Sequence, residues 1–279
     1  MSSFNLVLNN KNVIGTTNNT FTYTFINGSF TIPEKSKMCV SSCTIPYSFF
    51  NVSQSQYNNA SFGYTFGEIT YNYIMPDGFY TAIDINNFLK VQMIKNGTYL
   101  IDSSNLNNVY YCNINTDSNY YSNQILCYVV PISLPSGFSV PNNFPGFPKT
   151  AMTSQFIVGT NESGSLLGYV KGIYPPTNTA KFYNTIGSVC PNASPINAII
   201  IHCSLIDNRV AMPLDILDSF AINSTFGSNI NYQPTFRKDI NLTAGKFHQM
   251  TVYFTDQNNN LLPMRDSNIL LNLLITFNI

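Results

Sequence analysis

The chain has 279 residues, with 13 Lys and Arg against 13 Asp and Glu, so its net charge is zero and charged residues are only 9% of the total. Globular domains usually carry about 25%, so Asn, Ser, Thr, Gln and Tyr must make up the polar surface. The absence of any basic cluster larger than Arg237-Lys238 disfavours recognition of a nucleic acid through its phosphates. No run near ~18 apolar residues marks a membrane span.

The first eleven residues lack a basic region followed by an apolar run, so no secretory signal is expected. Residues 20–30 alternate Phe21, Tyr23 and Phe25 with Thr22 and Thr24, which predicts a strand closed at Asn27-Gly28. A second strand is expected over 37–49, with Pro46 near its end. An aromatic strand, or two short ones, is expected over 62–74, weakened by Gly63 and Gly67. Met75-Pro76-Asp77-Gly78 is a turn signal. Thr81 then stands as a helix N-cap with Asp84 completing a capping box. Ile85, Phe88, Leu89 and Gln92, with Ile83 and Ile94, form the stripe of a helix over 81–95 that Asn96-Gly97 ends.

Strands follow at 109–115 and 124–130. Residues 131–148 contain five prolines and read as a long loop, as do 172–195. A short strand at 155–158 and one helical turn at 164–169 interrupt this region. Three further strands are predicted at 197–206, 246–255 and 268–278. In the last, Ile269, Leu271, Leu273, Ile275, Phe277 and Ile279 fall on one face and Asn268, Asn272, Thr276 and Asn278 on the other. Leu270 and Leu274 make that outer face partly apolar. Eight alternating segments, turn-rich links and one helix specify an all-β fold. A single jelly-roll antiparallel β-sandwich with long loops and one short helix, spanning 1–279 as one domain, is the expected class. Loops 131–195 and 207–245 are expected to be projecting or inter-subunit elements.

Cys39, Cys43, Cys112, Cys127, Cys190 and Cys203 show no Cys-x-x-Cys spacing. Cys39 and Cys43 would lie ~13 Å apart in one strand, too far for a bridge. Six free thiols in a reducing compartment are predicted. Catalytic constellations are sparse. His202 and His248, each within a strand pattern, read as structural, and Asp207, Asp215 and Asp218 as solvated loop carboxylates, with a calcium site as the alternative. No phosphate loop, nucleophile elbow or zinc motif is present. The expected catalytic, cofactor-binding and metal-ligating residues are therefore none, and no enzyme is predicted. The scarcity of charge has two readings: a surface committed to neighbouring molecules, or the coding bias of an AT-rich genome.

Separated segments together carry a resemblance. Pro76-Asp77-Gly78-Phe79-Tyr80-Thr81 leading into Ile85-Asn86-Asn87-Phe88-Leu89 resembles a pattern in the penton (vertex) proteins of virophages and Polinton-like viruses. There a Pro-x-Gly-Tyr-Tyr turn precedes an Ile-Asn-Asn-Tyr-Leu helix. Ser165-Leu166-Leu167-Gly168-Tyr169 is similar to their Leu-Leu-Gly-Phe element. The segments 199–205, 226–233, Ala244-Gly245-Lys246-Phe247 and Tyr253-Phe254-Thr255-Asp256-Gln257, with the final strand, follow in the family's order. Phe79 and Phe88 replace the usual tyrosines.

The resemblance implies a virophage-type structural protein, a homopentamer at the vertices of an icosahedral capsid. Its partners would be copies of itself, neighbouring hexon-type capsomers of the major capsid protein, and a minor capsid protein. It would be made in a host cytoplasm and carried in the virion. The family brings no catalytic residues and no cofactor. Two other classes remain open from the residues alone: a carbohydrate- or receptor-binding β-sandwich, and an enzyme on the same scaffold.

Overall fold

In the computed structural model, which describes residues 2–12, 18–117 and 119–277, the alternating run near the end of the chain is the strand Leu270–Phe277. Ile269, Leu271, Leu273 and Ile275 are buried, whereas Leu270 is exposed. Asn278 and Ile279, expected on opposite faces, lie outside the described residues. Burying side chains of this size contributes about 1.5–3 kcal/mol each, enough to hold the register against slippage. The strand pairs antiparallel with Ser2–Asn9 on one side and Lys37–Pro46 on the other. Lys37–Pro46 then carries Asn229–Tyr232 and the short Ile240–Asn241. A bulge leaves Ser41 without an opposite residue where Asn272 faces Ser42 and Leu273 faces Val40.

A second sheet, of four strands, runs Ile216–Ala221, Ala198–Cys203, Gln249–Asp256, Thr20–Thr24. Phe21, Ile199, Ile201, Val252 and Phe254 are fully buried on its inner face. The two sheets meet where Cys203 Sγ lies 4.0 Å from Met38 Sδ. All nine strands belong to one compact unit, Met1–Phe49 with Ile196–Ile279. Its strand order is jelly-roll-like, with sequence neighbours distributed between two opposed sheets.

Residues Phe50–Pro195 form a second compact unit, inserted in sequence between Lys37–Pro46 and Ala198–Cys203. It contains a four-stranded sheet (Gly172–Tyr174, Phe156–Val158, Ser61–Phe66, Ile69–Ile74) and a three-stranded one (Tyr183–Ile186, Ser122–Cys127, Cys112–Asp117). A second three-stranded sheet (Phe138–Ser139, Tyr99–Asp102, Asn108–Tyr110) and a pair of two-residue strands complete it. The helix Ala82–Lys95 has the predicted Thr81–Asp84 capping box. Its buried face is Ile85, Asn86, Leu89 and Met93, and Asn86 Oδ1 accepts the Ile114 N–H at 2.9 Å. The helix is thereby tied to the strand Cys112–Asp117.

Residues 62–74 take the two-strand form, because Gly67 at φ 58° turns the chain into a hairpin. Several other expectations change. Ile83 and Ile94, placed on the helix stripe from sequence, are exposed. The helical turn expected at 164–169 forms as Asn161–Leu167, and with the further short helix Gln54–Tyr57 the described residues contain three α-helices. Of the eight strands expected to build one sandwich, 62–74, 109–115 and 124–130 instead lie in the inserted unit. Their places in the two opposed sheets are taken by Ser2–Asn9, Ile216–Ala221 and Asn229–Tyr232. Within 207–245 the strands Ile216–Ala221, Asn229–Tyr232 and Ile240–Asn241 divide the expected loop into shorter connections. The region 131–195 also contains short strands and the helix Asn161–Leu167.

Candidate functional site

The strongest polar constellation is inside the first unit. His202 Nδ1 is 3.0 Å from Asp215 Oδ1, and His202 Nε2 is 2.8 Å from Thr255 Oγ1. The Tyr253 ring stacks on the imidazole at 4.4 Å and 6°, and its hydroxyl donates to Asp215 Oδ2 at 2.6 Å. In the tautomer with Nδ1–H donating to Asp215, Nε2 accepts from the Thr255 hydroxyl. Hydroxyl, imidazole and carboxylate therefore stand in the order used for nucleophilic catalysis. His202 is 1% exposed and Thr255 2%, so no substrate atom can approach the hydroxyl. The network instead holds Ala198–Cys203 and Gln249–Asp256 to residue 215. Burial alone would raise the Asp215 carboxyl, but hydrogen bonds from Tyr253 and His202 outweigh it and hold it below the usual carboxylate range.

The three carboxylates read as a loop group are separated by their partners. Asp207 pairs with Arg209 at 2.9 Å. Asp215 belongs to the histidine network. Asp218 is buried and accepts from Tyr232 Oη and Lys238 Nζ, both at 2.7 Å. Tyr232 stacks on Phe220 at 4.3 Å, so this cluster joins strands of the two opposed sheets. Among the described residues, no group of three His, Cys, Asp or Glu is placed to hold a metal ion. His248, exposed, has Nδ1 against the Gly28 carbonyl.

The surface of the first unit carries large apolar side chains at loop tips. Val210 is 98% exposed, Met212 92% and Phe236 78%. The loop bearing the first two is ordered by its own backbone: Asn208 N–H donates to Leu214 O at 2.8 Å, and Ala211 N–H to Asn208 O at 3.1 Å. Asn208 Nδ2 also donates to Ile216 O at 3.1 Å. The loop thus holds its apolar residues outward. Sequence reasoning placed these residues in a loop without noticing their apolar tips, because a single side chain in a non-repeating segment leaves no periodicity.

The second unit has a cleft of about 420 Å³ lined chiefly by apolar atoms. Phe79, Tyr80, Ala82 and Ile85 come from the turn and first turn of the long helix, Tyr121 from the hairpin tip, and Leu166 from the short helix. Asn51 fixes this wall: it accepts from Tyr80 N–H and donates to Tyr80 O and Ala193 O, each at 2.8 Å. The motif segments 76–81, 85–89 and 165–169, far apart in sequence, converge here.

No protein-family model matches the sequence, and no curated protein does so. Among solved structures, the chain is similar to the mavirus penton protein, with 10% identity, 98% of each chain covered and a TM-score of 0.43. It is also similar to a chain in the cryo-EM structure of the Sputnik virophage, with 13% identity, 98% of this chain and 96% of that one covered, and a TM-score of 0.42.

Proposed function

We propose that this chain is a structural capsid protein, a jelly-roll protomer that assembles as a homopentamer at the five-fold vertices of an icosahedral virion. One observation carries the assembly half of this reading: an ordered loop holds Val210 and Met212 almost fully in solvent, and Phe236 is also exposed, on a chain with 9% charged residues. Apolar anchors of this kind signal contact with another macromolecule, and a neutral Asn- and Tyr-rich rim is less costly to bury than Lys or Glu. Five copies in head-to-tail contact close a ring. The vertex position comes from the resemblance of the 76–89, 165–169 and later segments to penton proteins, and the strand order of the two opposed sheets supports the jelly-roll.

On this reading residues 1–279 act as one protomer. The connections around 207–214 and 233–239 and the loops within 131–195 touch neighbouring copies, hexon-type capsomers and a minor capsid protein. The protein performs no catalysis and works in the virion after synthesis in a host cytoplasm. Electron microscopy of the purified chain tests it: five-fold rings, and the same density at particle vertices, are expected. A monomer at high concentration that is absent from vertices would sink the proposal. The cleft lined by Phe79, Tyr80 and Tyr121 favours a second reading, a carbohydrate- or receptor-binding module. A glycan array positive for a ring-free monomer would support it instead.

A further inference from the structure

Cys112 and Cys127 are directly opposite each other on neighbouring antiparallel strands. Tyr128 N–H donates to Tyr111 O at 2.9 Å, and Ile114 N–H points away to Asn86. These bonds make Cys112–Cys127 a non-hydrogen-bonded pair, in which Cα atoms are about 4.5 Å apart. That lies within the span a disulfide accepts. The two Sγ atoms are 3.7 Å apart in the buried core of this unit. Side-chain rotation alone can close the remaining gap. Among the described residues the other strand cysteines face apolar residues: Cys39 faces Leu274, Cys43 faces Leu271 and Cys203 faces Val252.

We propose that Cys112 and Cys127 form a latent cross-strand disulfide, reduced in a thiol-rich compartment and closed by a peroxide outside it. In the first step one sulfur attacks the peroxide, so an S–O bond forms as the O–O bond breaks, giving a sulfenic acid and water. The second sulfur then attacks the first: the S–S bond forms, the S–O bond breaks, and hydroxide leaves with the second thiol's proton as water. Two thiols lose two electrons and two protons, and one peroxide becomes two waters. The bridge would staple the hairpin whose tip presents Tyr121 to the cleft. Burial pushes the Cys112 thiol up, so the reaction is slower than at exposed Cys190. The inference is independent of the capsid reading.

The test begins with alkylation of Cys190 in the folded, reduced chain. Hydrogen peroxide treatment follows, then quenching, denaturation in excess alkylating agent, and peptide mapping. Cleavage after Tyr120 or Tyr121 separates the two cysteines, so a bridge appears as two peptides joined, two hydrogens lighter and released by reductant. The expected result is that linked pair, with an unfolding midpoint raised by up to about 10 °C. A Cys127→Ser chain with unchanged circular dichroism should show neither effect. If that variant does not fold, the map of the unsubstituted chain decides alone. Recovery of Cys112 and Cys127 as alkylated thiols or as separate sulfinic acids overturns the proposal.

Discussion

Tyr253 joins two features of the first unit: its ring lies on His202 and its hydroxyl binds Asp215. Each partner leaves a pH signature of known sign. The Asp215 carboxyl is held below its ordinary value, so it contributes stability that is present above the unfolded carboxylate value near pH 4 and lost as pH falls through the lower folded value. Burial and the hydrogen bond to Asp215 push the Tyr253 hydroxyl up to about 12. Its contribution is present below about pH 10 and lost as pH rises through the folded value. Tyr253→Phe keeps the stacked ring but removes the donor. Denaturant titrations should show a loss of roughly 1–3 kcal/mol at neutral pH and flatter curves at both extremes. Identical pH profiles for the two proteins would show that the hydroxyl does not couple to Asp215. From sequence, His202 was legible as a buried strand residue because it sits in an apolar run, but Asp215 read as a solvated loop residue. Its partners at positions 202 and 253 become neighbours only through sheet pairing.

The helix Ala82–Lys95 was legible almost to the residue, because capping box and terminator are local interactions between residues at fixed spacing. Which flanking apolar residues it buries was not, since a stripe has uncertain edges until a partner surface defines it. The pair Leu89 and Ile83 tests this. Leu89→Ala should cost about 2–5 kcal/mol, while Ile83→Ala, at an exposed site, should stay within roughly 0.5 kcal/mol. Equal losses in thermal denaturation would contradict the orientation of the helix. At its end Gly97 has φ 69°, and a Cβ there would meet the Asn143 carbonyl oxygen at 2.4 Å. Gly97→Ala should therefore lower the melting temperature by several degrees, and an unchanged melt would show that loop 131–148 yields freely. The strands differ in the same way. Leu270–Phe277 was readable from six alternating positions. Asn229–Tyr232 contributes a single buried side chain, Ile230, too short a pattern to separate from a loop. Ser2–Asn9 did alternate Phe4, Leu6 and Leu8, a signal present but overlooked.

At the scale of the whole chain, the scarcity of charge makes a specific prediction for assembly. Contacts made by apolar anchors and neutral hydrogen-bonding side chains do not depend on screened ion pairs. Sedimentation at low salt and at about 1 M salt should then show the same oligomer. A ring that falls apart as salt rises would mean that the few charges dominate the interface. Replacing Val210 and Met212 together by Asp should shift the distribution toward monomer without altering circular dichroism, because both side chains are outside the core. An unchanged distribution would show that this loop lies outside the contact.

The sequence by itself determined the β class, the long helix with its caps, the buried face of the last strand and the shortage of charge. Each of these is a property of local spacing or of composition, and neither depends on what the chain meets. Tertiary structure decided which strands share a sheet. It alone separated 62–74, 109–115 and 124–130 into an inserted unit and brought Ser2–Asn9, Ile216–Ala221 and Asn229–Tyr232 into the two opposed sheets. It also set Cys112 against Cys127 and His202 against Asp215. The physical reason is that alternation specifies a buried face without naming the strand it will face. Pairing is chosen by the summed burial and hydrogen bonding of distant segments, a quantity that no single stretch of sequence contains.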